Sequence, residues 1–458
     1  MRKLLMIGAA AATVVGLGAA TTAGQTPRNE AFRLIGLFGD ALATVERDYV
    51  VPVDDKKLIE AALQGMMSAL DPHSAYMPAK GYNELRERTE GQYSGVGLTI
   101  SSEGGMVKII SPMDGGPAAR AGVQAGDVIS AIEGQNSSGL TVSQVSEKLR
   151  GAAGTSVKVT FLRDGEEPRE VVLTREIIKI ESVTGRIEGD HGVLRVSTFN
   201  ENTGRELTET IARLKAENPA LTGYVLDLRN NGGGLLDAAI AVSDAFLERG
   251  EIVSQRGRRP EQILRYAATP GDLTGGLPVV VLINYGSASA SEIVAGALKD
   301  HQRATVLGLT SFGKGSVQSV IPLRGGADGA LSITTARYYT PSGASIQKIG
   351  IEPDLEVARS EAEARIVSRS NFIYSEAAYA TALDASIGAE RKGPHTPHEA
   401  PGESYDKEKD YQLERAFDLL RAGGELTRLA AAPEGVVVTA PGATALAAVD
   451  APEAAETP

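Results

Sequence analysis

Apolar residues recur at helical spacing in two early stretches of the chain. Phe32, Leu34, Ile35, Leu37 and Phe38 form one set; Leu58, Ala61, Ala62, Leu63, Met66 and Met67 form the other. Apolar positions three and four apart share one helix face, which predicts helices over about 28–90. Asp71-Pro72 ends the second run, because the residue before proline avoids the α region. From about 91 to 180 the pattern changes to short β-type runs separated by glycines: 96–100, 107–110, 128–132, 157–162 and 170–174. From about 181 to 355 strand-like runs, among them 224–228 and 279–283, alternate with helical segments, which predicts an α/β core. Beyond about 388 the chain is rich in Pro, Gly, Ala and charge. One amphipathic helix over about 409–421 interrupts it, with Leu413, Phe417 and Leu420 on one stripe. These changes of texture divide the chain into 24–90, 91–178, 179–360, 361–424 and a tail, 425–458. The last 25 residues hold Glu434, Asp450, Glu453 and Glu456 but no base, and read as disordered.

Ahead of these, Arg2 and Lys3 precede an apolar run over 4–20 that ends in small residues. A basic flank, an apolar stretch and a small-residue exit read as an export signal over 1–23; left uncleaved, it would be an N-terminal anchor. The expected location is the periplasm. The length of 458 residues suggests about three domains, and 42% hydrophobic residues suffice for real cores. Aromatics at 5%, no Trp and a net charge of −12 argue against nucleic acid as a partner. The absence of Cys removes disulfides, thiolate zinc sites and a cysteine nucleophile. No His/Asp/Glu grouping has metal-ligand spacing, and neither metal nor cofactor is expected.

In the β-rich segment, Tyr93-Ser94-Gly95-Val96-Gly97-Leu98 puts two glycines before a strand. Gly116-Pro117-Ala118-Ala119-Arg120-Ala121-Gly122-Val123, then Ala125-Gly126-Asp127-Val128-Ile129 and a helix over 142–149 follow. This order resembles a PDZ domain. The resemblance implies a loop of Gly95, Val96, Gly97 and Leu98 whose N–H groups receive a peptide carboxylate, beside a pocket walled by Leu98, Val145 and Leu149. Arg120 is a candidate switch residue, able to pair with a carboxylate in one domain arrangement and not another. Its plainer reading is an exposed turn residue.

In the α/β segment three stretches stand out: Leu226-Asp227-Leu228-Arg229-Asn230-Asn231-Gly232-Gly233-Gly234, Gly286-Ser287-Ala288-Ser289-Ala290-Ser291-Glu292, and Ser311-Phe312-Gly313-Lys314-Gly315-Ser316-Val317-Gln318. With the PDZ pattern, they resemble the carboxy-terminal processing (tail-specific) proteases, Ser/Lys-dyad serine peptidases. The family implies a crotonase-like core with an inserted PDZ domain and an N-terminal helical segment. It implies Ser289 as nucleophile, Lys314 as general base and Gln318 as its orienter. Where the family reads Asn-Pro-Gly-Gly, this chain has Asn231-Gly232-Gly233-Gly234, which keeps the donors but loosens the loop.

The residues support that chemistry independently. A serine needs a base, and a lysine among apolar groups can serve because desolvation disfavours its ammonium. Glycines flanking Lys314 permit close backbone approach. Ala290 at a helix start and Gly233 in the glycine loop supply oxyanion donors. The competing reading of Ser289 and Glu292 is a capping box. A phosphate-binding loop over Gly308 to Lys314 lacks the hydroxyl residue at position 315. A Ser-His-Asp triad would draw on His73, His191 or His301, since His395 and His398 fall in the presumed tail; no nucleophile elbow surrounds Ser289. Arg256-Gly257-Arg258-Arg259 reads as a solvated loop beside the cleft. Expected partners are the C-terminal tails of exported proteins, an adaptor or lipoprotein activator, and further copies of the chain. A silent PDZ scaffold is the alternative.

Overall fold

The computed structural model describes residues 26–163, 165–369, 374–385, 391–402 and 404–423. The export signal over 1–23 and the tail over 425–458 lie outside the described residues. The chain divides into two units at Met66. The first holds helix α1 (Thr26–Asp48) and most of α2 (Asp55–Ser68). The apolar set on α1 is exposed, Phe32 and Ile35 most of all. The sequence reads as helical over about 28–90 with a stop at Asp71-Pro72, but a short strand, β1 (Ala75–Met77), follows that stop before α3 (Ala79–Glu90). The reason is tertiary: β1 pairs antiparallel with a distant strand at 330–332.

The PDZ module enters and leaves through one two-stranded neck, β2 (Gln92–Gly95) paired with β9 (Glu176–Lys179). Gly91 caps α3 at φ +68, and a Cβ there would strike the Asn200 side chain, so the junction demands glycine. Between the neck strands lie β3 (Leu98–Glu103), β4 (Met106–Pro112), α4 (Pro117–Arg120), β5 (Val128–Ile132), β6 (Gln135–Asn136), α5 (Val142–Leu149), β7 (Ser156–Leu162) and β8 (Arg169–Thr174). They form the sheet β3-β4-β5-β7-β8, with β6 on β5. Its inward residues, including Val107, Ile109, Ile129, Val159 and Phe161, share a core with Val145 and Leu149 of α5.

The α/β core has two sheets. The first runs β10-β11-β12-β15-β16-β19: β10 (Val183–Glu188), β11 (His191–Val196), β12 (Gly223–Asp227), β15 (Val279–Ile283), β16 (Ala304–Gly308) and β19 (Leu355–Glu356). All its pairings but β10–β11 are parallel. Alternate residues of β15 serve two cores: Val279, Val281 and Ile283 face α6 (Thr203–Glu217), α7 (Leu236–Asp244) and α8 (Ala290–Asp300), while Val280 and Leu282 face α10 (Tyr411–Arg421). Leu413, Phe417 and Leu420 of α10 are buried there as the stripe predicted, each stabilising by about 1.5–3 kcal/mol at most. The second sheet holds β13 (Glu251–Gly257), β14 (Ile263–Ala267), β17 (Ser316–Pro322) and β18 (Ala330–Tyr339), with β1 joined to β18. Helix α9 (Glu361–Arg369) follows. His395 and His398, placed in a tail by composition, belong to the fold: His395 Nε2 lies 2.8 Å from Glu356 on β19 and His398 Nδ1 lies 3.5 Å from it.

Candidate active site

Ser289 sits at the start of α8 with φ +56 and ψ −110, a region a residue with a side chain rarely adopts. The Glu292 N–H bonds the Ser289 carbonyl at 2.9 Å, not its hydroxyl. The Glu292 carboxylate accepts the Ser289 N–H in return, so the capping arrangement stands alongside the strained turn, and among the described residues no bond of the Ser289 hydroxyl fixes it elsewhere.

Glu292 does more than close a helix end. It is fully buried, and its carboxylate takes four donors. Oε2 accepts from the N–H groups of Ser289 (2.7 Å) and Lys314 (2.9 Å); Oε1 accepts from Gly313 N–H (2.6 Å) and the Ser311 hydroxyl (2.6 Å). One oxygen thus fastens both the Ser289 turn and the Lys314 loop. Burial pushes the carboxyl up to about 7, and the four donors oppose that shift. Sequence reasoning missed this role because Ser-x-x-Glu reads locally as a cap, whereas the second set of donors is tertiary.

Lys314 lies between glycines pressed against the backbone: a Cβ on Gly315 would meet Gln347 N at 2.4 Å. Desolvation lowers the Lys314 pKa, opposed by the charges of Glu376, Glu292 and Asp71. The Ser289 hydroxyl and the Lys314 amine make no hydrogen bond to each other among the described residues. Gln318 stands on β17. Its amide donates to Ser316 Oγ (3.0 Å) and Thr334 Oγ1 (3.1 Å) and not to Lys314.

Two further carboxylates, Asp71 and Glu376, act on Lys314 by charge. Asp71 accepts from His73 N–H, Ser74 N–H and the Ser74 hydroxyl, and Ser74 in turn meets Thr334, so the turn before β1 is wired to the partner of Gln318. Glu376 is fully buried, with His73 Nε2 at 2.7 Å and Gln347 Nε2 at 3.0 Å; Gln347 Oε1 accepts from Gly315 N–H. None of the five histidines bonds Ser289: His191 stacks on Phe417 and His301 faces the Glu251 carbonyl.

The glycine loop approaches Ser289 closely, and a Cβ on Gly233 would lie 2.9 Å from that of Ser289. Its N–H, however, donates to Asn231 Oδ1 at 2.9 Å. The donor expected for the oxyanion therefore bonds within its own loop. Ala290 is the first residue of α8, where an N–H lacks an intrahelical acceptor. Behind the loop Arg229 makes paired contacts to Asp227 and to Asp410, the N-cap of α10.

In the PDZ module Gly97 takes φ +70, and the Val96 and Gly97 carbonyls accept from Ala118 and Met113 N–H, fixing the loop. Val145 and Leu149 are buried, Leu98 partly so, and β3 is an edge strand with α5 against it. Arg120 is not a free turn residue: it bonds the Gly115 carbonyl and pairs with Glu176 of the neck. Lys80 pairs with Glu147 at 2.8 Å and Arg150 with Glu87 at 2.5 Å, joining α3 to the module.

Three family models match the chain: peptidase family S41 over 190–357, a PDZ domain over 108–163, and the activating protease CtpB N-terminal domain over 18–81. A carboxy-terminal-processing protease of Bartonella bacilliformis is 45% identical over 419 residues, covering 89% of this chain and 93% of that one. A chloroplastic C-terminal processing peptidase of Tetradesmus obliquus is 36% identical, covering 67% and 69%. Among solved structures, a photosystem II D1 C-terminal processing protease is similar at 33% identity and TM-score 0.42, covering 73% of this chain and 93% of that one.

Proposed function

Because this chain belongs to the carboxy-terminal-processing proteases of peptidase family S41, we propose that it is a Ser289/Lys314 endopeptidase that cuts exported proteins in their C-terminal regions. It is a serine-type peptidase with a PDZ domain. The observation that carries the assignment of residues is the strained Ser289 turn sharing Glu292 Oε2 with the Lys314 loop. In the reaction, the Lys314 amine takes the Ser289 proton as the hydroxyl attacks the peptide carbonyl. The tetrahedral oxyanion forms beside Ala290 N–H, and Lys314 returns the proton to the departing amine. Water then attacks the acyl-enzyme by the same route.

The arrangement fits a resting form, since Ser289 and Lys314 are unbonded, Gln318 faces Ser316 and Thr334, and Gly233 is held by Asn231. Activation would turn Gln318 to the amine and release Gly233 to the oxyanion. The PDZ loop at 95–98 takes the substrate's terminal carboxylate and favours the active form to the extent that it binds that form better. Arg120, now on Glu176, would be the contact exchanged. Export to the periplasm, an adaptor or lipoprotein activator and self-association complete the proposal, motivated by the basic-apolar leader and the exposed apolar residues of α1. A fluorophosphonate probe should label the protein and not its Ser289→Ala form. Equal labelling of both would reject the nucleophile assignment, and a silent scaffold would show no labelling at all.

A further inference from the structure

Arg337 of β18 stands directly opposite Arg256 of β13. Cross-strand partners share a face with Cβ atoms ~5 Å apart, and like charges there repel. Neighbouring Arg259 and Arg265 pair with Glu261 and Glu251. Arg256 and Arg337 have no acid partner among the described residues, and the Nε of each is buried without a hydrogen bond. Asp384 feels the Arg337 charge but bonds Lys348 at 2.8 Å.

The next row of the same face repeats the pattern. Ser254 and Ser345 flank Tyr339 on its two sides. They are 0% and 7% exposed, and both hydroxyl oxygens lack a partner. The Arg256 guanidinium lies 4.0 Å from the Tyr339 ring centroid, which holds it in place. Two guanidinium Nε groups and two hydroxyls, each without a hydrogen bond, therefore gather on one patch, an arrangement that disfavours folding unless something else requires it.

The patch adjoins the catalytic base. Arg337 is the cross-strand partner of Ser316, the residue that accepts the Gln318 amide, and Tyr338 N–H bonds the Gly315 carbonyl at 2.7 Å. A guanidinium pair matches a planar two-oxygen acceptor, and partial burial strengthens the contact. We propose that Arg256 and Arg337, backed by Ser254 and Ser345, form a carboxylate-binding subsite of the peptide cleft, separate from the PDZ loop. The ligand is a substrate carboxylate, either an Asp or Glu side chain near the scissile bond or the free C-terminus. The inference rests on reading the cleft as a peptidase site.

The test uses the full-length enzyme and one uncharged peptide, amidated at its C-terminus, with Glu against Gln scanned through the positions flanking the cut; a free-acid counterpart forms the second arm. At one position Glu should give a kcat/KM about tenfold above Gln. Arg256→Gln and Arg337→Gln should each bring that ratio to near one, and Arg337→Lys should keep part of it. A ratio on one preparation is independent of its active fraction. If the free acid is instead preferred to the amide irrespective of Glu or Gln, and both glutamine substitutions remove that preference, the ligand is the C-terminus. A wild-type enzyme without preference in either arm overturns the subsite, as does a preference that survives both glutamine substitutions. Should no peptide be cut and no probe bind, the peptidase reading fails separately. Anisotropy of the same labelled peptides on Ser289→Ala protein then decides the subsite by the same ratio.

Discussion

Ser289 holds a backbone conformation that disfavours folding by about 1–3 kcal/mol, and Glu292 is what fixes it. Ser289→Ala and Lys314→Ala should each abolish peptide turnover with unchanged thermal melts, and the double variant should be no worse than either, because the pair acts as one unit. Appreciable cleavage by Lys314→Ala would rule out the lysine as base. The pH profile follows from signs. The proposed base, Lys314, would work as the neutral amine, so the rate should climb with pH through its lowered pKa. The Glu292 charge raises that pKa; Glu292→Gln should therefore move the acid limb to lower pH. It should also reduce the plateau by about 10²-fold as the turn loosens. A merely structural Glu292 would lower the plateau and leave the limb where it was. Because folding raises the Glu292 pKa from 4.5 to about 7, its contribution to stability is complete below about pH 4.5 and fades as pH rises through 7.

At the level of elements, the clasp between the end of β12 and the start of α10 ties a helix distant in sequence to the glycine loop. Arg229 is nearly buried, at 12% exposure, while Asp410 is 36% exposed. Arg229→Met should lower stability by on the order of 2–4 kcal/mol, less than a fully buried pair would lose. Urea unfolding at unchanged m-value would show this, and kcat should fall with it as the Asn231–Gly233 turn shifts. This contact also marks where the sequence was readable. Helix 142–149, strand 279–283 and the α10 stripe could be read directly, because each declares its period within itself. Strand β1 could not, since three residues have no period and exist by pairing with β18. His395 and His398 read as tail because the order of their segment comes from outside it. Buried Arg391, for instance, donates to the Ser311 and Ile349 carbonyls. In the site, Ser289 and Lys314 carried motifs. Glu292, Glu376, Asp71 and the Arg256–Arg337 pair acquire meaning only through partners far along the chain.

For the whole molecule, the ion pairs Lys80–Glu147 and Arg150–Glu87 that join α3 to the PDZ module are exposed or half-exposed, worth no more than about 1 kcal/mol each. Such contacts offer little resistance to the domain movement proposed above. A cleavable peptide with a free C-terminus should accordingly be cut with higher kcat/KM than its amide. Replacing 95–175 by a short turn should leave a folded enzyme that no longer distinguishes the two through this module. Equal rates for acid and amide in the intact protein, with activity unchanged by the deletion, would exclude gating.

The neck has a consequence for how the chain acquires its structure. Gln92 pairs with Lys179, so the ends of the insertion lie one strand spacing apart, ~4.8 Å. Before the module is organised, strands on either side of it must find each other across a long loose loop. Afterwards they meet across what is in effect a hairpin, and the closure entropy shrinks accordingly. The module should therefore become protected first during refolding: in pulsed hydrogen exchange, amides of β5 and β7 should be occluded before those of β12 and β15. Simultaneous protection of both sets would mean that the core collapses around an unformed insert.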